Sequence, residues 1–263
     1  MAHRTKIGVV GAGAIGSAVC KTLISAEGIK GFSLQCISDP QVTRNFGVPN
    51  LDVDALIAQC DLIVECLPAK IVPRLARKVF DSGKDMIVIS AASLLVYPEI
   101  LEWQKNSASR IFVPSGALCG IDGVKAMKEL GIKSSKIATT KPPKGFAGAP
   151  YVEENQIDLE GITEKTCIFS GNALAAAKGF PANINVAATL SLAGIGPDNT
   201  QVEIWADPAA KGNAHEVTVQ SAYSTLNARI ENMPDPANPK SSILAAQSIV
   251  ATLRDRTNAI AVS

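Results

Sequence analysis

Glycines at 11, 13 and 16 stand between a short apolar run, Ile7 to Val10, and a stretch that puts Ile15, Val19 and Leu23 on one helical side. Residues of that type at that spacing read as strand, phosphate-binding turn and helix. Gly11 permits the tight turn, Gly13 lets the backbone approach a pyrophosphate, and Gly16 lets helix and strand pack closely. Ala14 and Ile15 begin the helix, whose unpaired N–H groups and positive dipole end suit a phosphate. Asp39, 23 residues beyond Gly16, either reaches an adenosine ribose 2′-hydroxyl or is a turn residue before Pro40. A carboxylate there repels a 2′-phosphate, so NAD is the favoured cofactor, and Arg44 close behind leaves NADP possible.

A nicotinamide enzyme needs few further groups, because the cofactor carries the hydride and the protein supplies position, a proton and charge. Cys66 and Leu67 lie at the carboxyl end of an apolar run from Asp61, the end that faces a cofactor in an open α/β sheet. His215, where a loop enters a strand, is suited to proton transfer near neutrality, or is an interface histidine. Asn183 and Asn185 flank the start of a helix. They read as helix caps, or as carboxamides that meet nicotinamide or a substrate carboxylate. Lys141, ahead of Pro142-Pro143, reads as a carboxylate partner or a solvated loop lysine. Cys119 sits in a Gly/Ala loop without a histidine nearby in sequence, so it reads as close backbone packing against the cofactor rather than a nucleophile.

These groups must be carried by a chain of 263 residues, long enough for one large or two modest domains. Hydrophobic residues make up 47% and charged residues 19%, the balance of a globular protein, and the net charge of +1 points to neither nucleic acid nor a membrane surface as partner. No apolar run is long enough to span a bilayer and no signal-peptide pattern precedes the first strand, so a cytoplasmic location is expected. The six cysteines form no CxxC pair and there are two histidines, so neither a disulfide framework nor a metal site is expected.

Strands at Phe32–Ser38, Asp61–Leu67, Asp85–Ser90 and Arg110–Val113 alternate with helices at Asp54–Gln59, Ala69–Ser82 and Pro98–Lys105. This alternation predicts a doubly wound parallel sheet of Rossmann type over residues 1–113. After a helix near Gly120–Leu130, period-two segments dominate, as in Glu216 to Gln220 and Leu226 to Glu231. They predict a second α+β domain, residues 114–240, with a mainly antiparallel sheet and helices at Asn172–Lys178 and Ile184–Gly194. Lys144–Gln156, rich in Gly, Pro and acidic residues, is expected to be a mobile loop. A patterned helix within 241–263 is expected to return to the first domain.

The stretch from Phe180 through Asn183, Asn185 and Gly194 to Gly196 resembles the signature helix of the L-aspartate dehydrogenase family. Pro114 to Ala117, Gly120 to Asp122, Thr140 to Pro143, Asn213 to Glu216, Glu231-Asn232 and Asn238 to Lys240 support the likeness in the same chain order. The resemblance implies NAD(P)-dependent oxidative deamination of L-aspartate to iminosuccinate, which hydrolyses to oxaloacetate and ammonia, or the reverse amination. It also implies a homodimer acting on a small amino dicarboxylic acid. By the same resemblance His215 takes the catalytic position, and Asn185 and Cys119 contact the nicotinamide cofactor; in the mechanism that fits, Lys141 with Lys240 would hold carboxylates. Two alternatives stand beside it: a two-domain reductase for another amino or keto diacid, and a cofactor-binding protein without turnover.

Overall fold

The computed structural model describes residues 4–235 and 238–260. In chain order the elements are β1 (Thr5–Val10), α1 (Ala14–Ile24), β2 (Phe32–Ser38), α2 (Val53–Gln59), β3 (Leu62–Glu65), α3 (Val72–Asp81), β4 (Asp85–Val88), α4 (Ser93–Val96), α5 (Glu99–Lys105) and β5 (Ile111–Phe112). Then come α6 (Ile121–Glu129), β6 (Ile132–Lys141), α7 (Pro150–Glu154), β7 (Thr166–Asn172), α8 (Ala173–Gly179), α9 (Asn185–Ala193), β8 (Thr200–Ala206), β9 (Asn213–Ser221), β10 (Thr225–Asn232), β11 (Pro234–Asp235), β12 (Asn238–Ser242) and α10 (Ile243–Asp255).

The chain divides into two compact units. The first holds residues up to Ser90, Tyr97–Gly116 and the chain from Leu244 onward. Its sheet runs β2-β1-β3-β4-β5 with every pairing parallel. Ile7, Val9, Leu62, Val64 and Ile87 are buried, as central strands of a sheet covered on both faces must be. Ile249, Val250 and Leu253 of α10 join that same core, so the apolar stripe of this last helix is buried on the sheet that opens the chain.

The second unit holds Ala91–Val96 and Ala117–Ile243. The short helix α4 packs on α8 here, although the first 113 residues read in sequence as one domain. The sheet runs β10-β9-β6-β8-β7, antiparallel at every pairing except β6 with β8. One face, with Ile137, Ile204, Val217 and Val219, lies buried under α6, α8 and α9. The other carries Lys136 with Glu203, and Arg229 with Glu216 and Glu231, as ion pairs at the surface.

The segment expected to be a mobile loop is folded. Residues Pro143–Phe146 make a 3-10 turn and α7 follows. Phe146 is fully buried, edge-on to Phe180 with ring centroids 6.0 Å apart, and Tyr151 packs edge-on to Phe169 at 5.1 Å. Two aromatic anchors thus outweigh a composition that favours loops, since each buries a large apolar area. Among the described residues no helix is long and apolar enough to cross a membrane.

Candidate active site

The glycine turn lies in the first unit. Gly11 has φ of +90°, and a β-carbon there would fall into the backbone carbonyl of Cys66. A β-carbon on Gly16 would fall into the Gly11 carbonyl, so neither position accepts another residue without moving backbone. Gly13 differs, because a β-carbon there meets nothing within 4 Å. The space in front of Gly13 is open, and Gly13 caps α1 with no side-chain acceptor and no acidic residue in the first turn. Ala14 and Ile15 are half-buried beside it. An open glycine in front of an uncapped helix start fits the pyrophosphate of a dinucleotide.

Asp39 follows β2 and turns toward this loop. Its Oδ2 accepts from the Ala12 N–H at 2.6 Å and its Oδ1 from the Gln41 N–H at 2.8 Å. Each oxygen keeps a lone pair for a ribose hydroxyl. Cys66 and Leu67 form the β3 exit, where the Cys66 N–H donates to the Val10 carbonyl at 2.8 Å. Burial pushes the Cys66 thiol well above its ordinary value, so it is a neutral group, not a thiolate.

Sequence reading missed Glu65. It ends β3 fully buried, its Oε1 accepting from the Leu67 N–H at 2.5 Å and its Oε2 from the Ser90 N–H at 3.1 Å. A lone carboxylate at the end of an otherwise apolar parallel strand is the signal that was available.

The second unit gathers a different set. Thr139 of β6 stands opposite His215 of β9 in register, so their side chains share the face covered by helices. His215 is 3% exposed, and its Nδ1 lies 3.1 Å from Thr139 Oγ1. Burial, helped by the nearby Lys141 charge, lowers its pKa to about 3, so the imidazole is neutral. Lys141, two residues beyond Thr139, is 8% exposed, and burial lowers its pKa to about 8. Its Nζ donates to Asn183 Oδ1 at 2.8 Å and lies 5.9 Å from the centre of the Phe146 ring. It has no carboxylate partner among the described residues. The solvated-loop reading of Lys141 therefore fails, because the side chain is buried at a strand end.

Asn183 does not cap α9. Ile184 is the cap residue and has no side-chain bond, while Asn183 lies in the turn that precedes it and holds Lys141. Asn185, in the first turn of α9, accepts from the Ala92 N–H through Oδ1 at 3.1 Å, which leaves its Nδ2 without an acceptor among the described residues. Cys119 is half-buried in the loop before α6. Lys240 lies on β12, and its side chain falls outside the described residues. Among the described residues no cluster of His, Cys, Asp and Glu is arranged to hold a metal ion.

A parallel nucleotide-binding sheet with this glycine turn, joined in one chain to an α+β unit carrying a buried imidazole and ammonium, defines a two-unit nicotinamide oxidoreductase. The family described as "Aspartate dehydrogenase, C-terminal" matches residues 122–256, and "Homoserine dehydrogenase, NAD binding domain" matches residues 11–114. L-aspartate dehydrogenase 3 of Bordetella bronchiseptica is 44% identical, over 97% of this chain and 96% of that one. L-aspartate dehydrogenase of Methanosarcina barkeri is 36% identical, over 95% and 96%. The crystal structure of aspartate dehydrogenase from Thermotoga maritima superposes with a TM-score of 0.79 at 30% identity, over 99% of this chain and 100% of that one. The chain belongs to the L-aspartate dehydrogenase family, and its cofactor is NAD(P). The scyllo-inositol dehydrogenase of Lactobacillus casei, with a TM-score of 0.54 at 15% identity, shares the fold alone.

Proposed function

We propose that this protein catalyses the NAD(P)-dependent oxidative deamination of L-aspartate to iminosuccinate, which hydrolyses to oxaloacetate and ammonia, or the reverse amination. The observation that carries the reading is Lys141, a buried ammonium that meets a neutral amide and an aromatic face but no carboxylate among the described residues, on the same sheet face as a neutral buried histidine. Burying a cation without a counter-ion is costly unless a ligand supplies the opposite charge. A substrate carboxylate is that ligand.

When bound, the nicotinamide ring supplies the hydride acceptor. Gly11, Gly13, Ala14, Ile15 and Gly16 hold the pyrophosphate, Asp39 the ribose, and Asn185 Nδ2 the nicotinamide carboxamide, with Cys66, Leu67 and Cys119 packing against the cofactor. Lys141, steadied by Asn183, binds one substrate carboxylate, and Lys240 is assigned to the other. The reading assigns His215 the tautomer that donates Nδ1–H to Thr139 Oγ1, so that the Nε2 lone pair takes a proton from the water that attacks the imine. In amination the same atom handles the proton of ammonia. A carboxylate that neutralises Lys141 removes one of the two influences that depress His215, so substrate binding makes the imidazole a better base.

Assays of L-aspartate and of oxaloacetate with ammonia, each with NAD and NADP, test this reading against a panel of other amino and keto diacids. Preferred turnover of another diacid would overturn the substrate assignment. Cofactor-induced thermal stabilisation without turnover anywhere in the panel would overturn the enzyme assignment. We assign a homodimer and a cytoplasmic location to the same reading, to be checked by light scattering and by cell fractionation.

A further inference from the structure

The chemistry proposed above leaves a buried carboxylate of the first unit, Glu65, without a role. Glu65 braces two strand exits at once: one carboxylate oxygen accepts from the Leu67 N–H and the other from the Ser90 N–H. Ser90 Oγ closes the ring by donating to the Leu67 carbonyl at 2.6 Å. The exits of β3 and β4 are thereby tied to each other. The β3 exit is also a wall of the glycine turn, because the Cys66 N–H bonds Val10 and the Cys66 carbonyl lies against Gly11. A shift of that exit moves the turn.

The chemistry of the brace is selective. Both partners are N–H donors, so only a group with two acceptor oxygens and no donor satisfies both. A glutamine, or a protonated carboxyl, presents a donor or a weakened acceptor to one of them. We propose that Glu65 is a positioning residue for the dinucleotide, its carboxylate locking the Cys66-Leu67 and Ser90 backbone into the shape the bound cofactor requires. This rests on the reading that Cys66 and Leu67 pack against the cofactor.

Burial pushes the Glu65 carboxyl up to about 7, against the pull of the N–H donors. Among the described residues the titratable group that feels the Glu65 charge is the Cys66 thiol, raised first by burial and then by that charge, and so neutral in the same range. The brace is therefore complete above neutrality and incomplete below it.

The test is the dissociation constant of NADH, measured by its fluorescence between about pH 6 and pH 8.5, where its phosphates do not titrate. Wild-type binding should tighten roughly tenfold as pH rises, the worth of one hydrogen bond to a charged group, with a midpoint near neutrality. Glu65→Gln should bind roughly tenfold more weakly at the alkaline end and show no midpoint. Its turnover at saturating NADH should fall less than its affinity. Ser90→Ala removes the hydroxyl strap but keeps the carboxylate, so it should bind more weakly and keep a midpoint, moved to higher pH because the Ser90 hydroxyl helps hold the carboxylate charged. Identical profiles for wild type and Glu65→Gln overturn the proposal. If the glutamine variant does not fold, a flat profile in wild type and Ser90→Ala overturns it equally. Absence of NADH binding by the wild type would instead defeat the cofactor reading on which it rests, a distinct result.

Discussion

The two units bury their charges on opposite terms. In the first, Glu65 is fully buried and both its oxygens are met by backbone N–H groups. In the second, Lys141 is nearly as buried, yet its ammonium meets an amide oxygen and an aromatic face but no carboxylate among the described residues. A charge whose partners are already in place acts on geometry. A charge still lacking its counter-ion is prepared for a ligand. On the proposed reading, Glu65 belongs to the framework that shapes the cofactor turn, and Lys141 to the surface that receives substrate.

If that distinction holds, the largest losses of turnover come from the second unit. His215→Ala removes the proton-transferring atom and should lower kcat by about a thousandfold, within the usual range for general acid–base catalysis. NADH affinity should stay near wild type, and near-normal turnover would reject the assignment. Lys141→Met keeps volume and removes charge. It should raise KM for the dicarboxylate about a hundredfold, the effect of losing a buried charge-assisted pair. In the wild type only the protonated lysine binds a carboxylate, so kcat/KM should fall as pH rises through the Lys141 pKa of about 8. Lys141→Arg should erase that limb, because a guanidinium stays charged. A limb of the opposite sign, with activity rising through the same range, would make Lys141 a base and not an anchor.

The contrast also explains which parts of the molecule were readable from sequence. The glycine turn is a local pattern, with all its spacing inside one strand–turn–helix, and its context could be judged residue by residue. The parallel sheet followed from regular alternation. His215 and Lys141 were visible as residues, but their relation was not, because it depends on the register that sets Thr139 opposite His215 across 76 positions. Asn183 could be read as a helix cap or as a ligand-binding carboxamide; its amide oxygen holds a lysine, a contact no local pattern announces, since the chain turns at Phe180 before α9 begins. Lys144–Gln156 was misread because its Gly, Pro and acidic content is local, whereas Phe146 and Tyr151 find their partners on distant elements. Glu65 passed unnoticed as the end of an apolar strand.

A smaller effect sharpens the second unit's side of the comparison. Thr139→Val is close to isosteric and deletes only the hydroxyl that fixes His215 Nδ1. Turnover should fall roughly tenfold through loss of one orienting hydrogen bond, while KM for the carboxylate substrate stays near wild type. A KM change as large as that of Lys141→Met would mean that the threonine shapes the substrate pocket and not the imidazole.

The smallest effect, and the cleanest contrast, is in stability. Glu65 has a folded pKa of about 7, above its model-peptide range, so its burial is free of penalty in acid. The penalty appears as pH rises through the interval in which the unfolded chain has lost the proton and the folded protein still holds it. Lys141 has a folded pKa of about 8, below its ordinary value, so its penalty is complete at neutral pH. It is relieved as pH rises from there toward the unfolded lysine range. Melting temperatures of Glu65→Gln and Lys141→Met, each taken relative to wild type without ligand, should therefore move in opposite senses with pH. The glutamine variant should gain on wild type from acid to neutral, and the methionine variant should lose its advantage in alkali. Each change should amount to roughly ten degrees at most, from an upper bound of about 3 kcal/mol per group. Parallel curves for the two variants would mean that neither charge is buried as the folded chain places it, and the distinction between a framework charge and a receiving one would fall with them.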